Sequence, residues 1–241
     1  MNDEAPTRAF RKSVGREYLE SVVVAIILAL FIRTFAVQAF KIPSGSMEDT
    51  LKIGDHLLVN KLVYSPSAGP LESALLGKKE IQRGHVVVFK FPEDPSRDFI
   101  KRVVGLPGEK VEIRDKKVYI DEKLLEESAY AHFQAPRLRR DDPEYDMGGD
   151  HRGENWGPEV VPEGQLFVMG DNRDNSRDSR YWGYLPIDQV KGRALLIYWS
   201  WESRRDDYER TNVWDNVKDL LGVVWNFRKG TRWDRFFRVI R

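Results

Sequence analysis

The chain has 241 residues, with 39 Lys plus Arg against 38 Asp plus Glu and a formal charge of +1. That balance gives no bulk electrostatic pull toward nucleic acid. Cysteine is absent, which excludes a disulfide framework, a cysteine nucleophile and a thiolate metal site. The four histidines, His56, His85, His132 and His151, are scattered with no pair at i, i+4 spacing. An ordinary zinc site and a histidine-based triad are therefore not expected, and no metal or cofactor is called for.

The first element is apolar. It runs from Tyr18 to Phe40, with Glu20 near its start and Arg33 and Gln38 toward its end. Its uninterrupted core, Val22 to Ile32, is shorter than the roughly 20 residues a full span prefers. Extended to Ala39 it is long enough, with Arg33 snorkelling toward the interface. Arg8, Arg11, Lys12 and Arg16 precede it, so the positive-inside rule puts the N-terminus in the cytoplasm and the remainder outside. This predicts a transmembrane anchor over residues 18–39. Two readings compete with it: a buried soluble helix, and a cleavable signal peptide ending at Val37-Gln38-Ala39. Cleavage there would leave only a few residues before Ser46.

Beyond residue 40 the pattern is mainly β. Apolar or alternating runs bounded by turn residues are His56 to Val59, His85 to Phe91, Phe99 to Val104, Leu166 to Met169 and Ala194 to Trp199. Lys110 to Asp121 reads as a hairpin: Val111, Ile113, Val118 and Ile120 alternate with polar residues around Asp115-Lys116-Lys117. Ser65 to Arg83 and the polar, Pro- and Gly-rich Ser128 to Gly164 look like insertions, and the charged run Arg137 to Asp146 reads as a solvated loop. At the C-terminus, apolar residues at 213, 214, 217, 220, 221, 224 and 225 have helical spacing. The basic, aromatic segment Thr231 to Arg241 follows, suited to a membrane interface or to a helix packed on the β domain.

Three clusters carry chemistry. Pro43-Ser44-Gly45-Ser46-Met47 lies just after the apolar segment. A serine hydroxyl is a poor nucleophile until a base removes its proton. With no well-placed histidine, lysine is the substitute, and Lys101 sits within Phe99-Ile100-Lys101-Arg102-Val103-Val104. Burial lowers a lysine's pKa by disfavouring the charge. Bringing it from about 10.4 to about 8 requires roughly 3 kcal/mol. The plain alternatives are an exposed strand lysine beside Arg102 and a helix-capping Ser46 in Ser46-Met47-Glu48-Asp49. The third cluster, Gly170 to Arg180, alternates acids and arginines. As a calcium loop starting at Asp174 it fails, with Ser179 at position 6 and Leu185 at position 12. A fixed network of hydrogen bonds and ion pairs fits it better.

In this order and spacing the boxes resemble the bacterial type I signal peptidases, or leader peptidases. The matching pieces are Ile42 to Met47 with Thr50-Leu51, then Gly54-Asp55 with Leu57 to Lys61, then Arg83-Gly84 with Val86 to Phe89. Ile100 to Glu109 follows, and last Gly170-Asp171-Asn172 through Asn175-Ser176 and Asp178-Ser179-Arg180. The resemblance covers most of residues 18–200. It implies a membrane-anchored serine endopeptidase that removes N-terminal signal peptides from exported preproteins after an Ala-X-Ala type sequence. Its partners are then preprotein signal peptides, the lipid bilayer and the secretion translocon, with no nucleic acid. Ser46 resembles the nucleophile and Lys101 the general base. The Ser46 N–H and Ser44 hydroxyl resemble the oxyanion hole, and Ser176 the serine that orients the lysine. Asp178 and Arg180 resemble a supporting ion pair, and Gly170 a position where a side chain would crowd the lysine. Ile42, Pro43, Met47, Leu51, Phe99 and Ile100 match pocket-lining positions. Arg177 departs from the pattern, standing where many relatives carry a small residue.

The expected fold is mainly β. An antiparallel β-sheet catalytic core (40–201) carries an inserted smaller β-rich subdomain, with insertions at about 65–83 and 113–164. One N-terminal transmembrane helix precedes it, after a cytoplasmic tail of residues 1–17, and a C-terminal helical tail (202–241) follows. The competing functional reading is a membrane-tethered, non-catalytic β binding or scaffold module with Lys101 exposed.

Overall fold

The computed structural model describes residues 14–61, 64, 80–133, 155–202 and 227–240. The charged run 137–146, residues 65–79 and the helical spacing over 213–226 lie outside the described residues. The chain opens with a helix, α1 (Val14–Phe31), which passes through a π-helical turn (Ile32–Ala36) into strand β1 (Val37–Lys41). The anchor predicted for 18–39 is therefore helical only as far as Ala36. Val37 to Ala39 are strand, because each pairs with β2 (Asp55–Asn60) in register Val37↔Asn60 to Lys41↔His56. No residue of α1 is buried, so it is not a buried soluble helix. Among the described residues no helix is long and apolar enough to cross a membrane. The reasons are legible in α1 itself: its 18 residues include Arg16, Glu17 and Glu20, and its length is about 27 Å.

The β part follows the alternation of the sequence. After β2 come β3 (Val86–Phe91) and β4 (Asp94–Gly105), paired from Val86↔Arg102 through Val87↔Lys101 to Phe89↔Phe99. Next are β5 (Lys110–Arg114), β6 (Lys117–Ile120), β7 (Lys123–Leu124) and β8 (Trp156–Val160). Then come β9 (Gln165–Met169), a short helix α2 (Ser179–Trp182), β10 (Leu185–Pro186) and β11 (Val190–Ser200). A turn of helix, α3 (Phe227–Gly230), and β12 (Arg238–Val239) complete the described chain. Eight strands form one antiparallel sheet in the order β1-β2-β11-β3-β4-β9-β10, with β12 paired to β11. Four form a second in the order β7-β6-β5-β8. The β5–β6 hairpin turns at Asp115 and Lys116, with φ of 50° and 64°. That double left-handed geometry matches the right-handed twist of the flanking strands.

The larger sheet is covered on both faces, as the near-continuous apolar run Val86 to Phe89 requires. Val86 and Val88 point to a cluster with Ile42, Met47, Leu51, Leu57, Val59, Ile100 and Ile197. Val87 and Phe89 point to the other, with Val103, Leu166, Val168 and Leu185. A third cluster joins the two sheets through Val104, Val111, Ile113, Val118 and Phe167.

The basic, aromatic C-terminal segment differs from its expectation. Over 231–240 it forms a 3-10 turn and β12 rather than a helix. Arg235, 2% exposed, fixes it by donating to both carboxylate oxygens of Asp55 and, at 2.9 Å, to the Thr50 carbonyl. Ser200 Oγ donates to the same Asp55 at 2.6 Å. A buried guanidinium needs such a partner, and Asp55 is fully buried beside it.

His56 and His85 serve packing. His56 stacks on Trp199 with ring centroids 4.9 Å apart. His85 Nδ1 accepts the Gln82 N–H at 3.1 Å and the Tyr64 hydroxyl, which leaves no room for a proton there. Burial, aided by Arg193, pushes its pKa down to about 4. The unfolded chain then binds the proton from about pH 6.5 downward, while the folded chain resists it until about pH 4. Stability contributed by neutral His85 is therefore complete above pH 6.5 and lost as pH falls through 4. Melting temperature is expected to decline over that window. His85→Asn, which keeps the acceptor and removes the titration, is expected to flatten that decline.

Candidate active site

Residues 44–51 turn tightly between β1 and β2. Glu48 N–H donates to the Gly45 carbonyl at 3.1 Å and Leu51 N–H to the Met47 carbonyl at 2.7 Å. Met47 and Leu51, both fully buried, pin this turn to the core. Ser46 is thereby held at 8% exposure. Lys101 comes from β4, on the same face as Phe99, because side chains alternate along a strand. It is 4% exposed, with Nζ 2.7 Å from Ser46 Oγ and 5.5 Å from the centre of the Phe99 ring. Two residues 55 positions apart thus meet at hydrogen-bond distance in a nearly dry setting. The solvated-lysine alternative does not describe this side chain.

The loop 170–180 closes over the pair from the other side. Asn172 N–H donates to the Ser46 carbonyl at 3.1 Å, and its side-chain amide donates to the Gly45 carbonyl at 3.1 Å. Asp178, fully buried, accepts from Arg180 Nε at 2.8 Å and from the Gly170 N–H at 2.9 Å. Burial pushes the Asp178 carboxyl up, but the Arg180 guanidinium and the Gly170 N–H outweigh it and hold the pKa below the ordinary value. Arg180 also donates to the Arg173 carbonyl at 2.7 Å. Arg173 in turn makes a two-pronged contact with Glu127 at 2.6 and 2.8 Å. The acids of this loop face arginine and lysine: Asp171 meets Arg102 and Asp174 meets Lys116. Among the described residues no group of three or more His, Cys, Asp or Glu is placed to hold a metal ion.

Gly170 is a close-approach position. A Cβ there would collide with the Ser176 hydroxyl and, at 2.5 Å, with the Ser46 carbonyl. Both are parts of the site, so Gly170→Ala must displace one of them. The substitution is expected to lower stability by about 1–3 kcal/mol, read as a shifted denaturation midpoint, with activity falling alongside.

The structure brings Ser46 and Lys101 together and sets Gly170 against Ser46 and Ser176, with Asp178 and Arg180 behind them; no hydrogen bond joins the Ser176 hydroxyl to Lys101. Ser44 is half-buried on the same turn. The positions expected to line a pocket divide. Pro43 is exposed and Phe99 half-buried, whereas Ile42, Met47 and Leu51 are core residues at 2% exposure or less. Ile100 packs in the same cluster at 9%. Sequence reasoning assigned no role to the Arg102–Asp171 pair, two-pronged at 2.8 and 2.7 Å and joined by the Thr50 hydroxyl at 2.6 Å. An arginine inside an apolar strand was the available signal, since a buried guanidinium implies a buried anion.

Comparison with known proteins identifies the family. The family described as signal peptidase, peptidase S26, matches residues 15–199. Signal peptidase I of Aquifex aeolicus is 34% identical over 256 residues, covering 88% of this chain and 95% of that protein. Signal peptidase I of Pseudomonas aeruginosa is 35% identical, covering 77% and 72%. A crystal structure of a signal peptidase I from Enterococcus faecalis is 30% identical and aligns with 48% of this chain and 97% of that one, with a TM-score of 0.36. From the extent of the family match and the near-complete overlap with the Aquifex protein, the chain belongs to the signal peptidases, peptidase family S26.

Proposed function

We propose that this protein is a membrane-anchored serine endopeptidase that removes signal peptides from exported preproteins, with Ser46 as nucleophile and Lys101 as general base. The observation that carries the reading is the 2.7 Å separation of Lys101 Nζ and Ser46 Oγ at 4% and 8% exposure. An amine so poorly hydrated, beside the Phe99 ring, loses the water that stabilises its charged form. The neutral amine takes the hydroxyl proton as Oγ attacks the scissile carbonyl, then gives it to the departing amine of the substrate. The same amine activates the water that releases the acyl group. The Ser46 N–H and the Ser44 hydroxyl, on one short turn, receive the oxyanion, an electrostatic contribution that is often the largest in acyl transfer. The Asp178–Arg180 pair fixes the loop that carries Ser176, the serine assigned to steady the lysine amine once it leaves its hydrogen bond with Ser46. Pro43 and Phe99 are the matched positions that reach solvent, and the subsites for the small residues of Ala-X-Ala are assigned to them.

Membrane anchoring rests on α1. Val22, Ile26 and Leu30 are each more than half exposed on it, an apolar surface that water disfavours and a bilayer accepts. Held beside the lipid, the site searches for a membrane-bound substrate at raised effective concentration. The test is mass spectrometry of the products from a model preprotein in detergent. One cut after Ala-X-Ala is expected, and none with Ser46→Ala. A cut elsewhere, or cleavage that survives Ser46→Ala, contradicts the reading.

A further inference from the structure

The surroundings of Phe99 form an ordered row leading away from the amine. Lys101 Nζ lies 5.5 Å from the Phe99 ring centre, and Phe99 stacks on Phe91 at 4.3 Å and 9°. The Arg177 guanidinium lies 5.8 Å from the Phe91 ring centre, and its Nη2 donates to Glu93 at 2.7 Å. Arg177 also follows Ser176 directly, so its backbone is held beside the site while its side chain rests on the β3–β4 hairpin. A second guanidinium, that of Arg97, lies 5.2 Å from the Phe99 ring centre.

The carboxylates along this hairpin are engaged differently. Asp94 accepts from the Ser96 N–H at 3.1 Å and the Ser96 hydroxyl at 2.6 Å. Asp98 is bonded to Lys191 at 2.7 Å. Glu93 is the ion-pair partner of Arg177, and the two side chains are 50% and 44% exposed. Ion pairs between groups this exposed are weak, because water competes for both ends. A carboxylate arriving on a bound peptide can therefore replace Glu93 at little cost. A lysine at the same place lies beside the Arg177 guanidinium and is repelled by it, with Glu93 offsetting part of that repulsion.

We propose that Arg177 is a specificity-determining residue that favours acidic over basic side chains in the peptide next to the scissile bond. This rests on the peptidase reading of the site. In that reading Glu93 acts as an internal stand-in for the substrate carboxylate and moderates the preference.

The test uses the full-length protein in detergent and a preprotein-derived peptide with an Ala-X-Ala cut. Asp, Asn or Lys is placed in turn at the middle position and at each of the two positions after the cut. At one of these positions the Asp-to-Lys ratio of kcat/KM is expected to be about fivefold, the scale of an exposed charge pair. Arg177→Ser should bring that ratio near one, and Glu93→Gln should raise it above the native value. Salt should shrink it as screening shortens from about 10 Å at 0.1 M to 3 Å at 1 M. A flat ratio at all three positions, or a native ratio kept by Arg177→Ser, overturns the proposal. The Asn peptide separates the two readings: if it is cut while the ratio is flat, the Arg177 proposal alone falls, and if it is left intact, the peptidase reading falls with it.

Discussion

Lys101→Ala is expected to lower kcat for preprotein cleavage by about a thousandfold or more, the upper range of a lost general base. The reason is local. Ser46 Oγ has the Lys101 amine at 2.7 Å, and an alanine leaves the hydroxyl with no group to take its proton. The fold should survive, because the buried Ser46 hydroxyl losing its partner costs about 1–3 kcal/mol, less than the stability of a typical domain. Circular dichroism and the denaturation midpoint are the control. If the spectrum is native and the variant stays folded under assay conditions while turnover is lost, the effect belongs to the chemistry. A variant that keeps native turnover would remove Lys101 from the mechanism. Acidification carries a second expectation. A base works only when neutral, so kcat should fall as pH drops and the amine gains its proton. A rate that climbs toward pH 5 is incompatible with an amine base.

Much of this site can be read from the chain because its parts sit on strongly patterned elements. Val86 to Phe89 is apolar without interruption and Phe99 to Val104 is broken only by Lys101-Arg102, so both form strands covered on both sides, and charged residues there are necessarily notable. The Lys110 to Asp121 hairpin is equally plain, since its alternation and its turn agree. What stayed hidden has physical causes. β1 is continuous in composition with the apolar helix before it, and its strand character comes from pairing with β2. β8 is an edge strand whose residues from 157 to 160 are exposed, so burial left no alternation in its sequence. β12 is two residues long and is set by Arg235 reaching Asp55, 180 positions away. The same separation problem conceals Met47 and Leu51. They were matched to a substrate pocket, yet the turn that presents Ser46 uses both as core anchors. No local pattern distinguishes those two uses of an apolar side chain.

Arg102 and Asp171 offer the largest expected stability effect. Asp171→Ala is expected to destabilise the fold by about 3–5 kcal/mol, since it strands a guanidinium that is 1% exposed. The Thr50 hydroxyl loses its acceptor in the same step. Added salt should not rescue the variant, because a pair sealed from solvent is barely screened. Replacing both partners, Arg102→Leu with Asp171→Leu, should recover much of the denaturation midpoint, as apolar pairs often match or exceed buried ion pairs. Activity is expected to part company with stability in that double variant. Asp171 precedes Asn172, whose N–H holds the Ser46 carbonyl, and Arg102 follows Lys101 on β4. The charged pair thus ties together the two backbone segments that carry Ser46 and Lys101, a registration that dispersion contacts between leucines do not enforce. The double variant should therefore fold with a near-native midpoint and still cleave slowly, with the loss in kcat rather than KM. Native kcat in the double variant would mean that the pair contributes stability alone and that the dyad is registered by the strand and turn themselves.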